Sequence, residues 1–130
     1  MVEREIAARV ARDFEFLKER VLAVLIFGSV VDRGGSWKGR DTDICIVAPE
    51  GFDIKEVFRQ VDVSGKRYDV WLFEELPLYM KMEVIERHEV VFCRGLLELH
   101  EYFYQFRKLW KDQKRRNEIT KEDLRRMLRV

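Results

Sequence analysis

The sequence predicts a mixed α/β (α+β) domain: a small mixed β-sheet flanked by helices, with a C-terminal helical extension. Three observations predict it. Short apolar runs alternate with amphipathic stretches along the whole chain. The apolar run 21–27 (VLAVLIF) is continuous, as in a strand buried on both faces. The stretch from residue 96 instead repeats its large side chains at helical spacing. At 130 residues the chain suits one core, divided here into a core at 1–95 and a helical extension at 96–130 packed on it.

Each element has its own signal. Residues 3–20 place Ile6, Val10, Phe14 and Leu17 on one stripe, with acids early and bases late, as the helix dipole favours. The strand 21–27 stops at Gly28-Ser29. A polar segment with Gly34, Gly35 and Gly39 follows and reads as a loop. DTDICIV at 41–47 is a second strand. Asp53, with Glu56 three residues later, forms a capping box for a short helix through about Gln60. VDV, Ser64-Gly65 and KRYDVWLF suggest a hairpin returning at 67–73. Pro77 opens another helix to about Arg87, and 89–93 is a short strand. Leu99, Phe103, Phe106 and Trp110 form one face of the helix from Leu96; the basic run 111–116 ends it. Thr120 and Asp123 suggest a separate last helix at 121–129.

Composition narrows function. A net charge of +1 gives no general attraction to nucleic acid or membranes. No stretch approaches the apolar length needed to span a bilayer, and the acid-bearing N-terminus lacks a signal-peptide pattern, so the expected location is cytoplasmic. Cys45 and Cys93 are too scattered for a disulfide framework or a zinc motif. Charged residues at 38%, with few Asn and Gln, match the composition of heat-adapted proteins.

The chemistry concentrates at 26–47. Asp41 and Asp43, two apart on a strand, share a face. Carboxylates this close repel unless a cation lies between them, and hard oxygen ligands suit Mg²⁺ or Mn²⁺. Gly28-Ser29, ending a buried strand, offers backbone N–H groups and a hydroxyl to phosphate oxygens. A third acid, Asp69 in an otherwise apolar strand, would complete the site as metal ligand and proton acceptor, with Asp62 as the competing choice. Asp69 could instead face solvent or pair with Arg67. Each part alone is common in ordinary turns. In this order they give a phosphate cradle beside a divalent-metal site, the layout of nucleotidyl transfer.

This pattern, Gly-Ser, a glycine-containing loop, then Asp-x-Asp leading an apolar strand, resembles the nucleotidyltransferase signature of the polymerase-beta-like superfamily. The chain's short length resembles that of the minimal nucleotidyltransferases (MNT) of that superfamily, and the segments after residue 76 look like archaeal members. The resemblance implies transfer of a nucleoside monophosphate, with ATP the expected donor, to a hydroxyl acceptor. It implies that Gly28, Ser29, Arg33 and Arg40 meet the nucleotide and that Asp41, Asp43 and Asp69 bind metal. Two departures stand out. Arg40 occupies a position where the family often has Ser or Thr, and the loop carrying Arg33-Gly34 is one residue longer. Arg40 can contact phosphate, or neutralise Asp41 in place of a metal. Members of this group are often paired with HEPN toxins and adenylylate a toxin tyrosine, which implies an antitoxin role. A tRNA end or a small antibiotic is an alternative acceptor. The other reading is a weakly active relative that works by binding its partner.

Other residues are open to two readings. Tyr102, Phe103, Tyr104, Phe106 and Trp110 either pack on the chain's own sheet or dock a partner helix or second subunit, as a homodimer through the C-terminal helix would. The run 111–118 is a solvated helix end or a contact for RNA. His88 and His100 lack ligand spacing. Trp37 either stacks on a base or covers the sheet edge.

Overall fold

The computed structural model describes residues 3–28, 31 and 41–128, with only the backbone at 116–124, 127 and 128. It has three layers. A four-stranded sheet of order β3-β2-β1-β4 lies between two helical layers. The strands are β1 (Ala23–Phe27), β2 (Thr42–Val47), β3 (Tyr68–Leu72) and β4 (His88–Cys93). β1 pairs antiparallel with β2 and β4, while β2 and β3 run parallel, so the sheet is mixed as expected.

The two central strands are apolar on both faces because both faces are covered. On one side lies helix α1 (Arg4–Asp13), which buries Ile6 and Val10. A 3-10 turn at Glu15–Leu17 replaces the expected last turns of this helix, yet Phe14 and Leu17 stay fully buried. Helix α2 (Lys55–Gln60) adds Val57 to the same core, against Val24, Ile26, Ile44 and Ile46. On the other side lie α3 (Leu78–Glu86) and α4 (Leu96–Leu128), which bury Met82, Ile85, Leu99 and Phe103 against Leu25, Phe27, Cys45 and Val47. Pro77 caps α3 as its fixed φ suggests. Both cysteines are free.

Three local expectations are corrected. The segment 61–73 is not a hairpin: β3 runs parallel to β2, so β2, α2 and β3 form a crossover unit. The turn at 62–67 is closed on itself. Asp62 accepts from the Gly65 N–H at 3.0 Å, and the Val63 carbonyl accepts from the Tyr68 N–H at 2.9 Å. At the start of α2, Asp53 does accept from the Lys55 N–H at 3.1 Å, but Glu56 turns away to Arg20. Finally, α4 continues unbroken to Leu128, with no separate helix at 121–129. No Gly or Pro interrupts 96–128, and a helix already running outweighs a weak Thr120 capping signal.

Tyr102 and Tyr104 part company on α4. Tyr102 turns inward and donates to Glu74 at 2.8 Å, while Tyr104 is exposed. Glu74 also accepts from the Ala48 N–H, so one carboxylate ties α4 to the end of β2. The inward stripe ends at Trp110, and side chains 111–115 all face solvent.

Candidate active site

The acids gather where β1 ends and β2 and β3 begin. Across the sheet, Phe27 of β1 lies opposite Asp43 of β2, and Asp43 lies opposite Asp69 of β3. Strand alternation puts Asp43 on the face of Cys45 and Val47, under the α3–α4 layer, while Thr42 between the two acids is buried. Asp43 is half-buried, and Asp41 and Asp69 are exposed beside it. Burial pushes the Asp43 carboxyl up to about 6, and the negative charges of Asp69 and Asp41 add to the rise; a hydrogen bond from Trp71 opposes it.

Gly28 is required by this geometry. Its φ is +82°, in the left-handed region, and its Cα backs directly onto the Asp43 carboxylate. A Cβ there would lie 2.3 Å from Asp43 Oδ2. The strand end and the acid are thus built against each other, and the Gly28 carbonyl accepts from the Val31 N–H as the chain turns away.

Arg67 adds a cation that sequence reading placed differently. It reaches Asp41, with Nε 3.2 Å from Oδ1, from a backbone φ of +59° that is uncommon outside glycine. Its carbonyl also accepts from the Thr42 N–H at 2.9 Å, which fixes the start of β2 against the start of β3. Asp62, the competing third acid, is held in its turn, whereas Asp69 stands beside Asp43. Ser29, Arg33, Trp37 and Arg40 lie outside the described residues.

Among the described residues, no three Asp, Glu, His or Cys side chains converge tightly enough to hold a metal on their own. The donor set still fits a divalent cation of the Mg²⁺ kind. Such an ion takes one or two carboxylates and completes its shell with water and substrate phosphates. The half-buried charge of Asp43, raised by two neighbouring acids, is the electrostatic strain that a cation would relieve.

Trp71 was not singled out by the sequence as part of the site. Its signal was present: two residues beyond Asp69 on β3, it shares that acid's face. What was missing was the parallel register that brings β3 beside β2.

Comparison with known proteins follows the same lines. The nucleotidyltransferase domain model matches residues 7–91. The "Putative protein adenylyltransferase MJ1547" of Methanocaldococcus jannaschii is 42% identical over 97 residues, which is 75% of each chain. Among solved structures, a chain of a toxin–antitoxin crystallised with AMP-PNP superposes with a TM-score of 0.70 at 11% identity, over 91% of this chain and 97% of that one. A chain from the tri-AMPylated Shewanella oneidensis HEPN toxin in complex with MNT antitoxin gives 0.64 at 12% identity, over 91% and 94%. At such identities the structural likeness speaks for the fold.

Proposed function

The chain belongs to the nucleotidyltransferase domain family, and on that premise we propose that it is a metal-dependent transferase moving AMP from ATP to a hydroxyl acceptor, a tyrosine of a HEPN-type toxin partner. One observation carries the reading: Asp43 is held half-buried between Gly28 and Asp69, with its carboxyl raised to about 6 by burial and by its acidic neighbours. A structural aspartate in a turn has no reason to be placed so.

In this reading Asp43 and Asp41 hold Mg²⁺ or Mn²⁺, with Asp69 as the third ligand. The bound metal supplies positive charge to the triphosphate. Gly28 and Ser29 present the strand end to the phosphates, and Arg33 and Arg40 add positive charge from the loop. Asp69 accepts the proton of the attacking hydroxyl. The chain acts as one domain, a core at 1–95 with the extension at 96–130, in the cytoplasm. The exposed side of α4, with Tyr104 outward, serves the partner or a second copy. The relatives support the acceptor assignment: one is named as a protein adenylyltransferase, and another is an MNT antitoxin complexed with a tri-AMPylated toxin.

The second reading, a partner-binding relative with little turnover, has one observation behind it: Arg67 occupies Asp41, a carboxylate the metal needs. One experiment separates them. The full chain is mixed with a HEPN-type partner, Mg²⁺ and ATP labelled at the α-phosphate. The first reading predicts labelled AMP on a partner tyrosine, lost in Asp43→Asn. A stable complex that neither transfers label nor responds to Asp43→Asn would establish the second.

A further inference from the structure

Trp71 closes one side of the Asp43 carboxylate. It lies on β3, two residues after Asp69 and directly opposite Cys45 of β2. Side chains two apart on a strand share a face, so Trp71 stands on the face of Asp69, Asp43 and Cys45, diagonal to Asp43. A long aromatic side chain can reach a diagonal neighbour on a sheet. The indole N–H does so and donates to the Asp43 carboxylate. The ring is 37% exposed and joins neither side of the hydrophobic core, so its most specific tie is to this acid.

Gly28 closes another side of the same carboxylate. An added Cβ there would stand 2.3 Å from Oδ2 and 3.2 Å from Cγ, so the glycine backbone lies against the acid. Asp43 is thus walled from the β1 side and held from the β3 side. Such restraint matters because the torsion that turns an aspartate carboxylate is soft and roughly two-fold. Left to itself, the group presents no fixed lone pair. A cation of the Mg²⁺ kind demands near-ideal octahedral geometry, and the carboxylates that bind it are themselves oriented by hydrogen bonds. An indole suits that task, since it donates one N–H and accepts nothing. Asp41, in contrast, is exposed and met by the Arg67 side chain.

We infer that Trp71 is a positioning residue for the metal site: its indole N–H fixes the plane of the Asp43 carboxylate, and so the direction in which that acid offers its lone pairs to a divalent cation. The inference rests on the transferase reading above and adds the residue that sets the geometry of its central ligand. Trp71 touches neither the cation nor the reacting atoms; it acts through Asp43. Without the indole, Asp43 keeps its place on β2 but is free to turn. Affinity for the cation falls while the fold persists.

The test uses the full chain, labelled with nitrogen-15. Its three tryptophans give three indole N–H signals, and the one absent from Trp71→Phe belongs to Trp71. That signal should move upfield in Asp43→Ala, where its acceptor is gone. Mn²⁺ then serves as the probe, with the free ion followed by electron paramagnetic resonance. Half-saturation should need about tenfold more Mn²⁺ in Trp71→Phe than in wild type, as loss of an orienting hydrogen bond to a ligand does. Binding should be lost in Asp43→Ala. Phe keeps an aromatic ring at this edge of the sheet, and a purely structural tryptophan would lower the melting temperature in chelator without moving the Mn²⁺ midpoint. Two results overturn the inference and leave the transferase reading standing: a Trp71 signal indifferent to Asp43→Ala, or an unchanged Mn²⁺ midpoint in Trp71→Phe. Wild type that binds no Mn²⁺ would instead strike the transferase reading, and the inference with it.

Discussion

Replacing Asp43 by Asn tests the electrostatic design of the site without any substrate. The folded-state pKa of Asp43 is raised from 3.8 to about 6. A group raised in this way stabilises the fold fully below its unfolded value and loses that contribution as pH rises through the folded value. Above pH 7 the charged Asp43 therefore opposes folding. A rise of that size corresponds to about 3 kcal/mol for a fully desolvated group, and to less for this half-exposed carboxylate, which water screens. Roughly half of that remains at pH 5. Asn carries no charge, and its own burial cost does not change with pH. The readout is therefore the difference in thermal stability between variant and wild type, measured with a chelator present. That difference should move in the variant's favour by on the order of 1 kcal/mol between pH 5 and pH 8 once solvent screening of the half-exposed carboxylate is allowed for, or about 3–4 °C in Tm. Adding Mg²⁺ at pH 8 should stabilise wild type and leave the variant unmoved. A difference that stays constant with pH would refute the claim that Asp43 is held charged against its surroundings.

Other positions make independent predictions. Gly28→Ala places a Cβ 2.3 Å from Asp43 Oδ2 at a left-handed φ, so the carboxylate must move; turnover should fall on the order of a hundredfold, as for ångström-scale misplacement, in a steady-state assay. Thr42 is fully buried and its hydroxyl has no hydrogen-bond partner among the described residues; Thr42→Val should raise stability by about 1 kcal/mol in denaturant titration. Phe103, 1% exposed, anchors α4 to the Phe73 ring at a centroid distance of 5.2 Å. Phe103→Ala should cost about 3–5 kcal/mol, and denaturant unfolding would show it.

How much of this was legible in sequence depended on range. The apolar runs of β1 and β2 are local signals; they placed Asp43 on its strand and Gly28 just past the end of β1, but β2 begins at Thr42, so Asp41 precedes the strand that the sequence assigned it to. Ser64-Gly65 looked like a hairpin turn, but turn residues carry no information on whether the next strand pairs back or crosses over. The crossover is decided by α2, whose Val57 must be buried against the sheet. The same limit hid Trp71. Its place at the site follows from the Asp43–Asp69 register, which is long-range. The end of α4 was misread for the opposite reason: a local capping pattern at Thr120 was weighted above the absence of any helix breaker. Arg67 was considered as a partner for Asp69, one position short of seeing that β2 begins beside it.

Calorimetric titration of ATP into the full chain, with and without Mg²⁺ and repeated with Asp43→Asn, bears most directly on the central claim. The transferase reading predicts binding that requires Mg²⁺ and is lost in the variant. No binding by the folded wild-type protein, with Mg²⁺ present, would contradict it and leave a nucleotidyltransferase fold kept for holding a partner.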